Sequence, residues 1–248
     1  MTTPEAVRTL AAVFAHPDDE TFATGGTLAK YAEAGARCSL YCATDGDAGR
    51  SSGIPVSSRE ELGRLRRAEL LEACALLGVT HVDHGGHPDG ALHGTEPDVV
   101  IGEIVAFLRR ERPSVVLTFG PEGAPTGHRD HRAISRLATS GVLLAGTTAF
   151  AEQFDTGLTP HRAERLCYVT WPDPAPGDAP RQPGQPIQIR IGVERWHTRK
   201  LEAFFAHRTQ REHQAYFERE AMPPTEDYFV ALGAPVPAGA TDLWDGLP

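Results

Sequence analysis

Residues 9–20 read TLAAVFAHPDDE, and this stretch decides how the chain folds. Six apolar residues in a row, Leu10 to Ala15, are too few for a free-standing helix and suit a strand buried on both faces, as in a parallel sheet. Pro17 then stiffens the turn. Asp18, Asp19 and Glu20 follow in what becomes the first helical turn, where the helix dipole favours negative charge. The pattern is therefore strand, tight turn, helix, with the helix expected over about residues 22–34 and ended by Gly35.

Working outward, the same alternation repeats. CSLYCA at residues 38–43 is a second strand, followed by a polar loop at 44–55. Ser58 and Glu61 form a capping box that opens a helix with Leu62, Leu65, Ala68, Leu71 and Ala75 expected on its inward face. Gly78 closes that helix ahead of a short strand over 79–83. A helix over about 98–111 stops at Pro113, VVLTF at 115–119 is the clearest buried strand, and a further helix opens near His128. Strands alternating with helices specify an α/β fold with a doubly wound, mostly parallel, Rossmann-like sheet of order 3-2-1-4-5. Residues 1–160 form this catalytic core. Residues 161–248 add a smaller β/α extension that completes the same domain: strands over 166–171 and 187–191, a loop over 172–186 with six prolines that suits a lid, two helical stretches up to Glu220, and a Pro/Gly-rich tail wrapping the surface.

The 248 residues carry 24 Lys and Arg against 33 Asp and Glu, a net charge of −9, which argues against partners such as nucleic acid or anionic membrane. No apolar run reaches the length of a membrane span, and the N-terminus lacks the features of a signal peptide. The four cysteines show no paired spacing and read as buried thiols of a cytoplasmic protein.

Ligands of doubly wound sheets bind outside the carboxyl ends of the strands, where the strand order reverses. AHPDDE follows the first strand, and Gly127-His128-Arg129-Asp130-His131 follows the fourth. Strand order 3-2-1-4-5 makes these strands neighbours, so the two motifs face each other across one crevice. Three carboxylates beside an imidazole repel one another unless a cation compensates them. The bland alternatives are that the acids merely charge a helix start and that the histidines lie on a surface; shared placement at the switch point disfavours both. A mixed imidazole and carboxylate set suits Zn²⁺ with three protein ligands and a place for water. We read the metal ligands as His16, Asp19 and His131. Asp18 is left beside the metal as a general base, His128 as an acid or a partner for a developing oxyanion, and Asp130 as the group that orients His128 or backs a ligand imidazole. Such a constellation hydrolyses an amide or ester. Rival readings are a non-catalytic sugar- or nucleotide-binding protein, disfavoured by the lack of Gly-x-Gly-x-x-Gly after the first strand, and a hydrolase of another ester or phosphoester, which would often need two metals.

AHPDDE together with HRDH resembles the LmbE-like, or PIG-L, family of zinc N-deacetylases. The resemblance spans about residues 9–215 and includes the TDGDAG loop at 44–49, Arg66-x-x-Glu69-Leu70, His87-Pro88-Asp89-Gly90 and KLEAFFAHRTQ at 200–210. It implies removal of an N-acetyl group from an N-acetylglucosamine-type small molecule, such as a mycothiol or bacillithiol precursor. It implies the same three ligands and the same base, and makes Arg66 and Asp89 substrate-binding residues. It is also compatible with a homo-oligomer. Where the mycothiol branch has Tyr-Gly-His, this chain has Thr126-Gly127-His128.

Overall fold

A computed structural model describes residues 7–154, 157–173 and 182–247. The chain runs β1 (Thr9–Phe14), α1 (Asp19–Glu33), β2 (Arg37–Thr44), α2 (Arg59–Leu77), β3 (Val79–His87), α3 (Pro97–Glu111), β4 (Val115–Phe119), α4 (Arg129–Ala145), β5 (Arg165–Thr170), β6 (Ile189–Gly192), α5 (His197–Ala206), α6 (Gln214–Glu220) and β7 (Thr225–Gly233). One seven-stranded sheet has the order β3-β2-β1-β4-β5-β7-β6. Its first five strands are parallel and have the expected order 3-2-1-4-5. Leu10 to Phe14 of β1 are fully buried in the centre of the core. No helix among the described residues is long and apolar enough to cross a membrane.

The C-terminal extension differs from the sequence expectation in one important respect. The segment taken as a surface tail contains β7, which slots antiparallel between β5 and β6. Only the last residues drape over the core, where Leu243 is buried and its N–H donates to the Tyr31 hydroxyl at 2.8 Å. The proposed lid at 172–186 lies largely outside the described residues. Strand β3 also continues past Asp83 to His87, with register shifts against β2.

Two helices show how polar partners reshape simple periodicity. Ser58 caps α2, accepting from Glu61 N–H at 3.2 Å, and Gly78 ends it with φ 80°, the left-handed conformation glycine adopts without strain. The buried face of α2 is Leu62, Arg66, Glu69, Leu70, Ala73, Cys74 and Leu77, not the expected stripe through Leu65, Ala68, Leu71 and Ala75. Arg66 and Glu69 are drawn inward because fixed hydrogen-bond partners meet them there. Against the middle of α1, Lys200 of α5 and Glu226 of β7 form a buried ion pair of 2.6 Å. Glu226 accepts from the N–H groups of Gly26 (2.9 Å) and Thr27 (2.8 Å), and Lys200 donates to the Phe22 carbonyl at 3.2 Å. This approach explains two glycines inside a helix. A Cβ on Gly25 would lie 3.0 Å from Lys200 Cγ, and one on Gly26 only 2.6 Å from Val193 Cβ.

Candidate metal and active site

The carboxyl ends of β1 and β4 bring the two motifs together. His16 Nδ1 lies 3.2 Å from His131 Nε2 and 3.4 Å from Asp19 Oδ2. His131 Nε2 lies 3.1 Å from Asp19 Oδ1. Donor atoms on one tetrahedral Zn²⁺ with bonds of about 2.0 Å would stand about 3.3 Å apart, so these three side chains fit a single small cation. Two sets that offer one donor atom per residue gather within 4.8 Å: His16 with His128 and His131, and His16 with Asp89 and Asp130. Both share His16. We favour His16, Asp19 and His131, because Asp19 meets His16 with one oxygen and His131 with the other, and His16 Nε2 is engaged elsewhere: Asp89 Oδ1 at 3.1 Å and Asp130 Oδ2 at 3.4 Å. An imidazole that turns one nitrogen to a metal usually donates the other N–H to a carboxylate. Asp130 is itself fixed, fully buried, by the N–H groups of Gly90 (2.7 Å) and Leu92 (3.2 Å). Of the two partners open to Asp130, its side chain meets His16, while its backbone N–H meets His128.

The charges of the cluster are coupled. Burial drives the His16 pKa down, but Asp19 and hydrogen bonds to Asp130, Asp19 and Asp89 outweigh it and hold His16 well above its ordinary value. Burial pushes Asp19 up, yet His131 and His16 pull it far below the carboxylate range. A site that draws positive charge this strongly onto its own imidazole is one that accommodates a cation.

Asp18 sits beside the cluster at φ 120°, a left-handed conformation unusual for any residue with a Cβ. Its Oδ2 is 3.2 Å from Arg66 Nη2. Burial raises the Asp18 carboxyl to about 6 against the opposing pull of Arg66. Arg66 is 4% exposed and spends its guanidinium on the carbonyls of Gly46 (2.7 Å) and Pro17 (2.6 Å) as well as on Asp18. Asp89 turns one oxygen to His16 and accepts from Ala48 N–H with the other at 2.8 Å. Both residues predicted to bind substrate are thereby placed at the cluster, holding its members.

His128 precedes α4, and its Nδ1 accepts from the Asp130 N–H at 3.2 Å. A backbone N–H can only donate, so Nδ1 is unprotonated and a neutral ring carries its proton on Nε2. Burial, then the charges of His16 and His131, lower the His128 pKa, which favours that neutral form. His131 is stacked on Phe119 with ring centroids 4.2 Å apart. Sequence reasoning did not find that Glu20 pairs with His207 at 2.8 Å behind the site; no spacing signals a contact across 187 residues.

From the cluster a cavity of about 880 Å³ opens outward past Phe22, Thr126, Trp171, Arg190, Tyr216 and Pro224. That volume is near the upper end for small-molecule sites, which run to about 1,000 Å³.

Residues 11–142, more than half of the chain, match the family described as PIG-L, GlcNAc-PI de-N-acetylase. The chain belongs to the PIG-L family. One curated relative, a 1D-myo-inositol 2-acetamido-2-deoxy-alpha-D-glucopyranoside deacetylase of Rhodococcus opacus, is 33% identical over 242 residues, covering 82% of this chain and 82% of its own. A protein of the same name from Saccharomonospora viridis is 31% identical and covers 95% of this PIG-L chain and 99% of its own. Among solved structures, the N,N'-diacetylchitobiose deacetylase from Pyrococcus horikoshii superposes with a TM-score of 0.74 at 23% identity, covering 91% of this chain and 84% of its own, which establishes a shared fold.

Proposed function

We propose that this PIG-L protein is a zinc-dependent amidohydrolase of the cytoplasm that removes the acetyl group from the nitrogen of an N-acetylglucosamine-type small molecule, such as a mycothiol or bacillithiol precursor. The observation that carries this reading is the 3.1–3.4 Å spacing between the imidazoles of His16 and His131 and the two oxygens of Asp19, with Asp18 beside them in the lining of the cavity. Zinc would be held by those three residues; when bound, it activates water at neutral pH and polarises the acyl carbonyl.

The residues of this chain supply the rest. Asp18 takes a proton from the attacking water, and its raised pKa makes it a better base than an exposed aspartate. The Nε2–H of neutral His128, directed by the Asp130 N–H behind it, donates to the carbonyl oxygen as negative charge develops there. His128 takes over the polarisation that a tyrosine at position 126 would otherwise assist. Asp18 then returns the proton to the departing amine nitrogen, so the proton count balances. Asp130 and Asp89 hold His16 in orientation. The sugar and its substituent fill the 880 Å³ cavity.

The test is a panel of N-acetylglucosamine conjugates with inositol, malate, lipid and sugar substituents, incubated with zinc-loaded protein and read by free-amine formation. About one Zn²⁺ per chain and amine release that disappears in Asp18→Asn are expected. Binding of the sugars without amine release would favour a non-catalytic binding protein. Release of phosphate from phosphoesters would favour the other class of hydrolase.

A further inference from the structure

Asp18 holds a backbone conformation that an L-residue keeps only where its surroundings enforce it. The enforcing contacts are few. The Asp18 carbonyl accepts from Thr21 N–H at 3.0 Å and Phe22 N–H at 2.9 Å, as any helix start would arrange. The Asp18 N–H, in contrast, donates to a side chain, Glu20 Oε2, at 3.0 Å. The other oxygen of Glu20 accepts from Thr21 Oγ1 at 2.5 Å and pairs with His207 Nε2 at 2.8 Å. Glu20 and His207 are both 0% exposed. Neither lines the cavity, so neither touches a substrate there. A buried carboxylate and imidazole are costly to desolvate, and their use here instead of an apolar pair calls for a task beyond packing.

We infer that Glu20 and His207 are positioning residues: His207 anchors Glu20, and Glu20 clamps the Asp18 N–H so that the base is held in its left-handed conformation facing the cation cluster. This rests on the reading of Asp18 as the base. Without the clamp, the peptide joining Pro17 and Asp18 keeps only the bond from Arg66 to its carbonyl and loses the bond on its N–H, which lets φ of Asp18 relax toward ordinary values and turns the Cα–Cβ bond away from the cluster. His207 is the residue that follows α5, so the clamp ties the start of α1 to the C-terminal extension.

The experiment compares wild type, Glu20→Ala and Glu20→Gln by amide hydrogen exchange at Asp18, by zinc affinity, and by kcat and KM for acetyl release. In Glu20→Ala, exchange at Asp18 is expected to rise about tenfold or more while the amides of β1 stay protected. The kcat is expected to fall about 100-fold, with KM and zinc Kd within about threefold of wild type. Glu20→Gln keeps an oxygen for the Asp18 N–H, so it is expected to hold that amide protected and to retain about a tenth or more of wild-type kcat. Unchanged exchange at Asp18 in Glu20→Ala, a loss of kcat that merely follows loss of zinc, or a Glu20→Gln protein as slow as Glu20→Ala with its Asp18 amide still protected overturns the inference. Should Glu20→Ala not fold, His207→Gln, which disturbs the anchor of Glu20, is read instead: raised exchange at Asp18 with a lower kcat supports the inference, and an Asp18 amide and kcat as in wild type overturn it. A wild-type protein that cleaves no acetylated sugar refutes the deacetylase reading, whereas exchange at Asp18 still decides whether the clamp exists.

Discussion

If Asp18 is kept as a base at the expense of folding, removing its charge should make the protein inactive and more stable. In the metal-free protein, burial lifts the Asp18 carboxyl to about 6, whereas in the unfolded chain it titrates at about 3.9. Between those values the folded state holds a proton that the unfolded state has lost. Stability therefore falls as pH rises through that window, and above pH 6 the whole deficit is present. Two pH units at about 1.36 kcal/mol each set it at about 3 kcal/mol near pH 8, and at about half that at pH 5. Asp18→Asn cannot ionise, and its amide oxygen remains available to Arg66. The variant should gain about 2–3 kcal/mol at pH 8, or about 5–10 °C in Tm for a chain of this size, and clearly less at pH 5. Urea unfolding of chelator-treated wild type and variant at the two pH values measures it. A variant no more stable than wild type at pH 8, or a gain that does not grow from pH 5 to pH 8, would refute the reasoning. Adding zinc should shrink the gain, because a neighbouring cation stabilises the wild-type carboxylate.

Other outcomes follow from the same structure. Lys200→Met strands Glu226 in the interior and should cost about 3–5 kcal/mol in urea unfolding, while Lys200→Met with Glu226→Leu should recover part of that loss. His128→Ala removes the donor to the developing oxyanion and should lower kcat about 100- to 1,000-fold, with zinc content by metal analysis unchanged. All four cysteines are buried, and burial pushes the thiols of Cys38 and Cys167 up to about 12. A thiol reagent at pH 8 should therefore find no fast-reacting cysteine in the native protein and four after denaturation.

What the sequence revealed was what local physics decides. Apolar runs at residues 10–14 and 115–119 can only be interior strands, and their order places His16 and His131 at one switch point. What it hid depends on partners distant in the chain. An apolar stripe through Leu65 and Leu71 is the natural choice for the inward face of α2, yet Leu71 is exposed and Arg66 is buried. The reason is that carbonyls of Gly46 and Pro17 await a guanidinium. Strand β7 was masked by the prolines and glycines on either side of it. Asp89, in a Pro-Asp-Gly turn, gave no hint that it would face His16.

These distant contacts converge on one helix. The start of α1 carries Asp18, Asp19 and Glu20, and its middle contains Gly25 and Gly26, which weaken a helix left to itself by about 0.5–1 kcal/mol each. The helix is restored from outside. Glu226 of β7 and Lys200 of α5 bond to its backbone groups, and His207, just past α5, pairs with Glu20. Gly25 is what lets the Lys200 side chain come close, and Gly26 leaves the space taken by Val193, which follows β6. The C-terminal extension therefore acts on the site without contributing a residue to the cluster of His16, Asp19 and His131: it fixes the helix that carries Asp19, and through Glu20 it fixes the conformation of Asp18. Loosening that extension should blunt catalysis before it affects the metal, because His16 is held independently by Asp89 and Asp130, neither of which belongs to the extension.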